Sequence, residues 1–255
     1  SSSPWLLPLM VSAGALGGIA WAAIPALLRT GFNTNEILVS LMLNYVALLI
    51  LSYLTHGPWR DPDGFNFPET KLFTEAAILP VLVEGTRLHL GAVFALVALV
   101  IAWVFSARTF SGFQMLVGGL AEPAARYAGF SRNRMIWVGL LAGGAAAGVA
   151  GLCEVAGPIG QLLPSISPGY GYAAIIVAFV GRLHPVGIIG ASMLMSLLYL
   201  GGESAQMALS LPSAVTGIFQ GMLLFFLLAA QWVVHFRFNL SGNTLEKHTS
   251  GAAPT

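Results

Sequence analysis

The sequence predicts an all-α fold, a polytopic transmembrane helical bundle with about seven crossing elements, one of them short or broken. Two observations carry this prediction. The 255 residues are 56% hydrophobic and only 8% charged, and the mean hydropathy is +0.81, whereas soluble domains carry roughly 25% charged residues. Uncharged stretches of about 20 residues, enough to cross about 30 Å of hydrocarbon, also recur along the chain.

The crossing elements follow in order from the uncharged runs. We expect them at 5–28, 37–55, 90–107, 135–153, 171–181, 185–200 and 213–235. The fifth is too short to span comfortably, and it follows a stretch rich in Pro, Gly and Ser. Residues 1–238 are therefore predicted to form one transmembrane domain, and the polar residues 239–255 a disordered cytoplasmic tail.

The placement of Lys and Arg predicts the orientation, because cytoplasmic loops carry an excess of both. With the 108–134 loop on the cytoplasmic side, alternation of the spans puts eight of the eleven cations there. These are Arg29, Arg108, Arg126, Arg132, Arg134, Arg182, Arg237 and Lys247, against Arg60, Lys71 and Arg87 outside. The bias holds only if 171–181 also crosses.

The external loop 56–88 is long and rich in proline, and loops of that length usually carry function or structure of their own. Within it, 73–79 is predicted to form a short helix that Pro80 ends. Glu203 is expected in a second external loop. Glu36 is expected in the first turn of a helix that Thr34 or Asn35 caps.

The cytoplasmic loop 108–134 contains a short basic segment, GGLAEPAARYAGFSRNR, between two apolar runs. Pro123 near the start and Gly129 at the end predict a small helix over 122–128. This helix is either a docking element for a cytoplasmic partner or part of a loop whose arginines only set the topology. The pattern alone does not separate these two interpretations.

A second irregular segment, CEVAGPIGQLLPSISPGYGY, contains three prolines and cannot form one continuous helix. Broken backbone at membrane depth requires protein or a water-filled cavity around it, and interrupted helices often mark transport sites. A plain external loop is the alternative. Asn44 lies within a predicted span, where an interhelical hydrogen bond and a substrate contact are equally compatible with the sequence.

Glycines recur four residues apart in three pairs: Gly14 with Gly18, Gly139 with Gly143, and Gly144 with Gly148. Small residues at this spacing let helix backbones approach closely in lipid. The pairs predict tight helix packing.

The sequence contains no catalytic or metal-binding signature. Cys153 is the one cysteine, the five histidines fall at no metal-ligand spacing, and Walker A, HExxH and GxSxG motifs are absent. The net charge of +1 gives no indication of nucleic acid as a partner. Mid-span Asp, Glu and His are scarce, which argues against a proton-coupled secondary transporter without excluding that class.

The chain resembles the integral-membrane permease subunits of bacterial ATP-binding-cassette importers for branched-chain amino acids, ribose and other simple sugars, and nucleosides. GLAEPAARYAGFSRNRMIW resembles the cytoplasmic coupling segment of that group. Residues 34–47, 56–70 and 154–185 resemble segments of the nucleoside-type branch, and the likeness extends over most of 9–234. Simple sugars such as ribose are the alternative substrates, because the two branches share much of the pattern.

The resemblance implies a non-catalytic subunit of a multi-pass transporter in the bacterial plasma membrane. It implies two cytoplasmic ATPase subunits that hold ATP and magnesium, a second identical or related permease subunit, and an extracytoplasmic binding protein or lipoprotein. The chain itself would contact membrane lipid and bind no cofactor, metal or nucleic acid. The resemblance implies ATPase coupling by Gly118, Glu122, Ala124, Ala125, Arg126, Tyr127 and Gly129.

Candidate residues of the substrate path are polar groups in the spans and in the broken segment, and the neutral ones among them suit an uncharged nucleoside. They are Asn44, Glu154, Gln161, Ser165 and Ser167. Tyr170 and Tyr172 are candidates for stacking on a base or for anchoring at the membrane interface. Family permeases carry further N-terminal helices with an Asn-Ile-Gly-Ala-Glu-Gly-like element, which this sequence lacks, so we expect it to be N-terminally truncated.

Overall fold

The computed structural model describes residues 5–64, 67–83, 85–86, 88–167, 169–210, 212 and 214–235. The predicted tail, 239–255, lies outside the described residues. The regular elements of the described chain are helices, which confirms the all-α prediction. The chain divides into two compact units between Tyr170 and Gly171.

Nine α-helices make up most of the described residues. They are α1 (Leu6–Phe32), α2 (Glu36–His56), α3 (Gly91–Arg108), α4 (Phe110–Leu120), α5 (Glu122–Tyr127), α6 (Arg132–Glu154), α7 (Tyr170–Val180), α8 (Pro185–Leu209) and α9 (Ala214–His235). A 3₁₀ turn at Glu75–Ala77 lies between α2 and α3, and a π-helical turn at Val155–Ile159 follows α6.

All seven predicted crossing elements are helical. Five of the helices, α1, α2, α3, α6 with its extension to Gly157, and α8, are long and apolar enough to cross a membrane. The 22-residue α9 and the short apolar α7 account for the other two. One helix was not predicted, because α4 lies inside the supposed cytoplasmic loop 108–134.

In the first unit, α1 and α6 pack antiparallel through backbone contacts at glycine. A Cβ added at Gly144 would lie 2.6 Å from the carbonyl oxygen of Gly18, and one at Gly14 would lie 3.2 Å from that of Gly148. The predicted packing role is thus confirmed for these four glycines. Gly143 faces open space.

The antiparallel packing gives the first unit two distinct ends. Near one end, Trp137 Nε1 of α6 donates to Thr30 Oγ1 of α1 at 3.2 Å. Near the other, a Cβ added to Gly91 at the start of α3 would lie 3.0 Å from Cβ of Cys153. The helix ends on the same side of the unit as Trp137 carry Arg29, Arg108, Arg126, Arg132 and Arg134.

The shared end of these five arginines confirms that part of the predicted charge asymmetry, and we call it the basic end. The segment between α2 and α3, which includes Arg60 and Lys71, lies at the opposite end. Arg87, Arg237 and Lys247 lie outside the described residues, and Arg182 belongs to the second unit.

The turn between α1 and α2 is built at the basic end by polar contacts. Asn35 Oδ1 caps α2 by accepting from the amide of Ile37 at 2.9 Å. Glu36 lies in the first turn as predicted, and its carboxylate also pairs with Arg29 Nε at 3.1 Å. Arg29 Nη1 donates to the carbonyl of Thr34 at 2.7 Å.

The second unit has its core where α7 and α8 meet. Ala173 and Ile176 of α7 and Met195 of α8 are buried together. A Cβ added at Gly187 would lie 2.9 Å from the carbonyl carbon of Gly181, so the turn before α8 depends on the absence of side chains there. Glu203 was predicted in a loop, and this was wrong because α8 continues to Leu209.

Candidate functional site

The short helix α5 stands at the basic end, and both of its predicted boundaries are confirmed. Pro123 lies in its first turn, where the missing amide hydrogen costs nothing. At its end the amide of Gly129 donates to the carbonyl of Arg126 at 3.1 Å, and the amide of Phe130 to that of Ala125 at 3.0 Å. These two bonds form a Schellman motif, which requires the left-handed φ of +77° that Gly129 adopts.

The side chains of Ala125 and Phe130 anchor α5 to the body of the unit. Ala125 is only 2% exposed. The ring of Phe130 packs edge-on against those of Phe110 and Phe113 on α4, with centroid separations of 5.9 and 6.4 Å. The helix is therefore held by its C-terminal turn, and its other side is free to face a partner.

The exposed side of α5 carries most of the predicted coupling residues. Tyr127 is 97% exposed, and Glu122, Ala124, Arg126 and Gly129 are exposed as well. The carboxylate of Glu122 pairs with Arg132 Nη1 at 3.3 Å, which joins the start of α5 to the start of α6.

Two predicted coupling residues do not lie on this exposed side. Ala125 is buried, so its side chain stabilises α5 and cannot touch a partner. Gly118 is part of α4, where an added Cβ would lie 2.8 Å from Sδ of Met135. Close packing of α4 on α6 explains this glycine, and the predicted partner contact is corrected for Ala125, whose side chain is buried.

The predicted break after α6 is present in the structure. The helix gives way to the π-helical turn, and Gly160 then adopts a left-handed φ of +69°. From here to α7 the described residues form no regular helix. At 1.5 Å per residue the 23 residues of α6 rise about 35 Å. The break therefore begins beyond one full membrane thickness from the basic end, which favours the external side over the midplane.

The break packs against the segment between α2 and α3. The amide of Thr70 donates to the carbonyl of Leu162 at 3.2 Å, and the amide of Leu162 donates back to Thr70 Oγ1 at 2.9 Å. The amide of Phe73 donates to Gly160 at 2.8 Å, and that of Leu79 to Ala156 at 2.7 Å. We call this pairing of residues 69–79 with 156–162 the external clamp.

Four predicted path residues belong to the stretch that contains the break. Glu154 ends α6 and is half-buried, as is Gln161, whereas Ser165 and Ser167 are exposed. Gln161 Nε2 donates to Glu69 Oε2 at 3.0 Å. Asn44 lies on a different element, near the middle of α2, and is exposed. Exposed Tyr170 and Tyr172 are in the first turn of α7.

Glu69, Thr70 and His89 also contact the residues around the break, and the sequence did not single them out. The imidazole of His89 lies against two glycine backbones: Nδ1 accepts from the amide of Gly91 at 3.1 Å, and a Cβ added at Gly157 would lie 2.6 Å from Nε2. The histidine thereby connects the start of α3 to the π-helical turn. Only the two glycines, which leave room for a ring, were a signal in the sequence.

A cleft of about 570 Å³ opens beside the external clamp. Its wall includes the aromatic rings of Trp59 and Phe73 and the cationic side chains of Arg60 and Lys71. Among the described residues, no three His, Cys, Asp or Glu side chains come together as metal ligands would.

Comparison with known protein families shows to which class of protein this helical chain belongs. Residues 1–228 match the family described as branched-chain amino acid transport system / permease component. The chain belongs to this permease family. Together with the five long apolar helices, membership makes it a multi-pass membrane protein.

Named relatives of this permease include proteins for a sugar and for nucleosides. A glucose ABC transporter permease protein, TsgB13 of Haloferax volcanii, is 36% identical over 96% of this chain and 68% of its own length. The guanosine ABC transporter permease protein NupP of Bacillus subtilis is 30% identical over 90% of this chain and 66% of its own.

A third relative is the nucleoside ABC transporter permease protein NupB of Lactococcus lactis, which is 27% identical over 87% of this chain and 63% of its own length. The permease described here thus spans about two thirds of the length of these curated relatives. No solved structure matches it.

Proposed function

We propose that this permease is the membrane subunit of an ATP-binding-cassette importer, and that α5 transmits the state of a cytoplasmic ATPase to the membrane helices. One observation carries the proposal: α5 ends in a Schellman motif and is anchored by its buried side, yet it exposes Arg126 and Tyr127 to solvent. A helix held this rigidly loses little entropy when a partner binds it.

In this proposal the subunit performs no bond chemistry. ATP and magnesium are held by two partner ATPases, and a second copy or a related permease completes the path in the inner membrane. A binding protein or lipoprotein delivers the substrate outside. Transport then follows from alternating access, in which the ATPases favour one of two conformations of the membrane helices.

The proposed substrates are nucleosides. The named guanosine and nucleoside permeases among the relatives support this choice, and neutral polar groups such as Gln161, Ser165 and Ser167 suit uncharged hydroxylated molecules. Simple sugars are the second candidate, favoured by the 36% identity to the glucose permease. A nucleoside contains a sugar, so the two substrates share the hydroxyl groups that such side chains bind.

The position of Gln161 supports a role at the outer mouth of the path. Its amide is held by Glu69 in the external clamp, so a substrate that binds Gln161 competes with this contact. Loosening the clamp would then accompany substrate entry. Glu154, Ser165 and Ser167 flank the same break, and Asn44 is proposed to line the path from α2.

Charge reversal on α5 tests the coupling role. In the full-length importer we expect Arg126→Glu to lower substrate-stimulated ATPase activity and uptake at least about tenfold, because like charges placed in an interface cost several kcal/mol. Membrane insertion should be unchanged. Arg134→Glu is the matched control, since Arg134 is exposed at the same end but lies on α6. Equal activity of both variants and the wild type would refute the docking role.

Uptake competition tests the substrate class. In a strain that depends on this importer, labelled nucleoside uptake should be lost on deletion, restored by the gene, and insensitive to excess ribose or glucose. If only sugar uptake is lost, the substrate is a sugar and the importer proposal still stands. No loss of either would reject import of both classes.

A further inference from the structure

The unpredicted helix α4 has an exposed face made only of large apolar side chains. Phe110, Phe113, Leu116 and Leu120 are spaced three or four residues apart and are between 52% and 80% exposed. At 100° per residue they fall on one side of the helix. None of the 11 residues of α4 is charged. We call this side the apolar face of α4.

Helix packing determines which way the apolar face points. On the other side of α4, a Cβ added at Gly112 would lie 2.7 Å from the carbonyl oxygen of Ser106, so the helix folds directly against the end of α3. Gly118 and Met115 on that side meet Met135 and Gly139 of α6. Apart from the edge contacts of Phe130 with Phe110 and Phe113, the apolar face is thus turned away from the body of the first unit.

Length and position place α4 at a membrane surface. Its 11 residues rise about 16 Å, about half of what is needed to cross the hydrocarbon. The preceding α3 has 18 residues and rises about 27 Å, so it already spans most of that thickness. The chain therefore reaches the basic end at Arg108, and α4 begins there.

The basic end carries more arginines than its ion pairs use. Arg29 pairs with Glu36, and Arg132 pairs with Glu122. For Arg108, Arg126 and Arg134, no carboxylate among the described residues lies within ion-pairing distance. Arg108 stands two residues before Phe110, the first residue of the apolar face. A cation beside an exposed apolar stripe is the combination that binds the headgroup and acyl region of an anionic bilayer.

The neighbouring helix α5 has the opposite chemistry. It carries Glu122 and Arg126 on its surface, and its one exposed aromatic residue, Tyr127, has a polar tip. A cytoplasmic partner suits α5, whereas the four exposed apolar side chains on α4 suit hydrocarbon, because moving apolar surface out of water is favourable. The two helices therefore face different phases.

We infer that α4 is an interfacial membrane helix whose apolar face lies in the acyl-chain boundary of the inner leaflet, with Arg108 bound to the phosphate of an anionic phospholipid. Phe130, which packs on Phe110 and Phe113, connects α5 to this lipid-seated helix. The depth of α4 in the lipid thereby determines how far α5 projects from the membrane surface into the cytoplasm. This inference stands whether or not the chain serves an importer.

Site-specific quenching in nanodiscs tests the inference with the full-length protein. In a Cys153→Ala background, an environment-sensitive fluorophore is placed by Leu116→Cys on the apolar face, and in a second variant by Ala124→Cys on the exposed side of α5. Doxyl-labelled phospholipid should quench the label at 116 several-fold more than the label at 124. Aqueous iodide should show the reverse order.

Two results would overturn the placement. Equal iodide quenching at both positions would put the apolar face in water. Protection of position 116 from both quenchers would mean that protein covers it, either a second copy or another subunit. The quenching measurement does not depend on transport, so a failed import assay does not affect its result.

The anionic headgroup is tested by lipid composition. Replacing part of the phosphatidylcholine with phosphatidylglycerol should increase doxyl quenching at position 116, and Arg108→Gln should abolish the increase. Lys71→Gln, at the opposite end of the first unit, is the matched control and should keep it. An increase that survives Arg108→Gln, or no increase at all, would remove Arg108 as a lipid ligand.

Discussion

The side-chain amide of Gln161 donates to the carboxylate of Glu69 at 3.0 Å, although 92 residues separate the two. This contact joins the break after α6 to the segment between α2 and α3. Next to it, Thr70 and Leu162 exchange two further hydrogen bonds. The external clamp thus holds two irregular stretches in place through polar contacts.

Glu69→Ala is expected to loosen the external clamp. The half-buried bond to Gln161 involves a charged acceptor, and its loss should cost about 1 kcal/mol. The amides of Thr70 and Leu162 should then exchange hydrogen several-fold faster in the full-length protein. Glu75→Ala is the control, because Glu75 is exposed in the 3₁₀ turn. Equal exchange rates in both variants would contradict a stabilising role for the contact.

Gly144→Ala is expected to destabilise the protein, whereas Gly143→Ala is not. Alanine gains about 1 kcal/mol of helix propensity over glycine at either position. At Gly144, however, the added Cβ would lie 2.6 Å from the Gly18 carbonyl oxygen, and overpacking of this kind costs about 1–3 kcal/mol. At Gly143 the methyl group meets nothing within 4 Å.

Thermal unfolding of both variants in the same detergent measures the difference. The midpoint of Gly144→Ala should fall below that of the wild type, and the midpoint of Gly143→Ala should stay level or rise. A higher midpoint for Gly144→Ala would show that α1 and α6 can separate at little cost.

Gly129→Ala is expected to weaken the end of α5. Its φ of +77° costs about 1–2 kcal/mol for a residue with a Cβ. The amide of Phe130, which donates to Ala125, should exchange hydrogen about tenfold faster, and ATPase stimulation should fall with it. Gly129→Asn should recover much of both, since asparagine tolerates the left-handed region. If alanine and asparagine behave alike, backbone conformation is not the cause.

Arg29→Gln is expected to lower the stability of the turn between α1 and α2. The substitution removes the bond to the carbonyl of Thr34 and the ion pair with Glu36. The pair is partly exposed, so the expected cost is only about 1 kcal/mol. Arg134→Gln removes an equal charge at the same end without a carboxylate partner, and its unfolding midpoint should barely move. Similar shifts in both would assign the effect to net charge.

Much of the first unit could be predicted from local sequence alone. Pro123 and Gly129 mark both ends of α5 because each residue has a strong backbone preference at one kind of helix terminus. The glycine spacing of α1 and α6 likewise indicated close packing. It did not indicate which of Gly143 and Gly144 makes the contact, since that depends on the rotation of α6 against its neighbour.

Helix α4 was missed because the arginines on either side of it led to a loop assignment. Two signals were present: Thr109, whose Oγ1 caps the helix by accepting from the amide of Gly112 at 3.1 Å, and the regular spacing of Phe110, Phe113 and Leu116. The partners of Gln161 and His89 had no comparable signal. Contacts between irregular stretches far apart in the chain depend on the tertiary fold, which no local preference encodes.

The glycine contact between α1 and α6 has a mechanical consequence. Where two helices touch backbone to backbone, no side chain can change rotamer to absorb a displacement. We therefore expect the two helices to tilt together as one rigid body. One end of this helix pair adjoins α5, and the other continues into the π-helical turn and the external clamp. We therefore expect a displacement of α5 to be passed along α1 and α6 to the external clamp, rather than to be absorbed between these two helices.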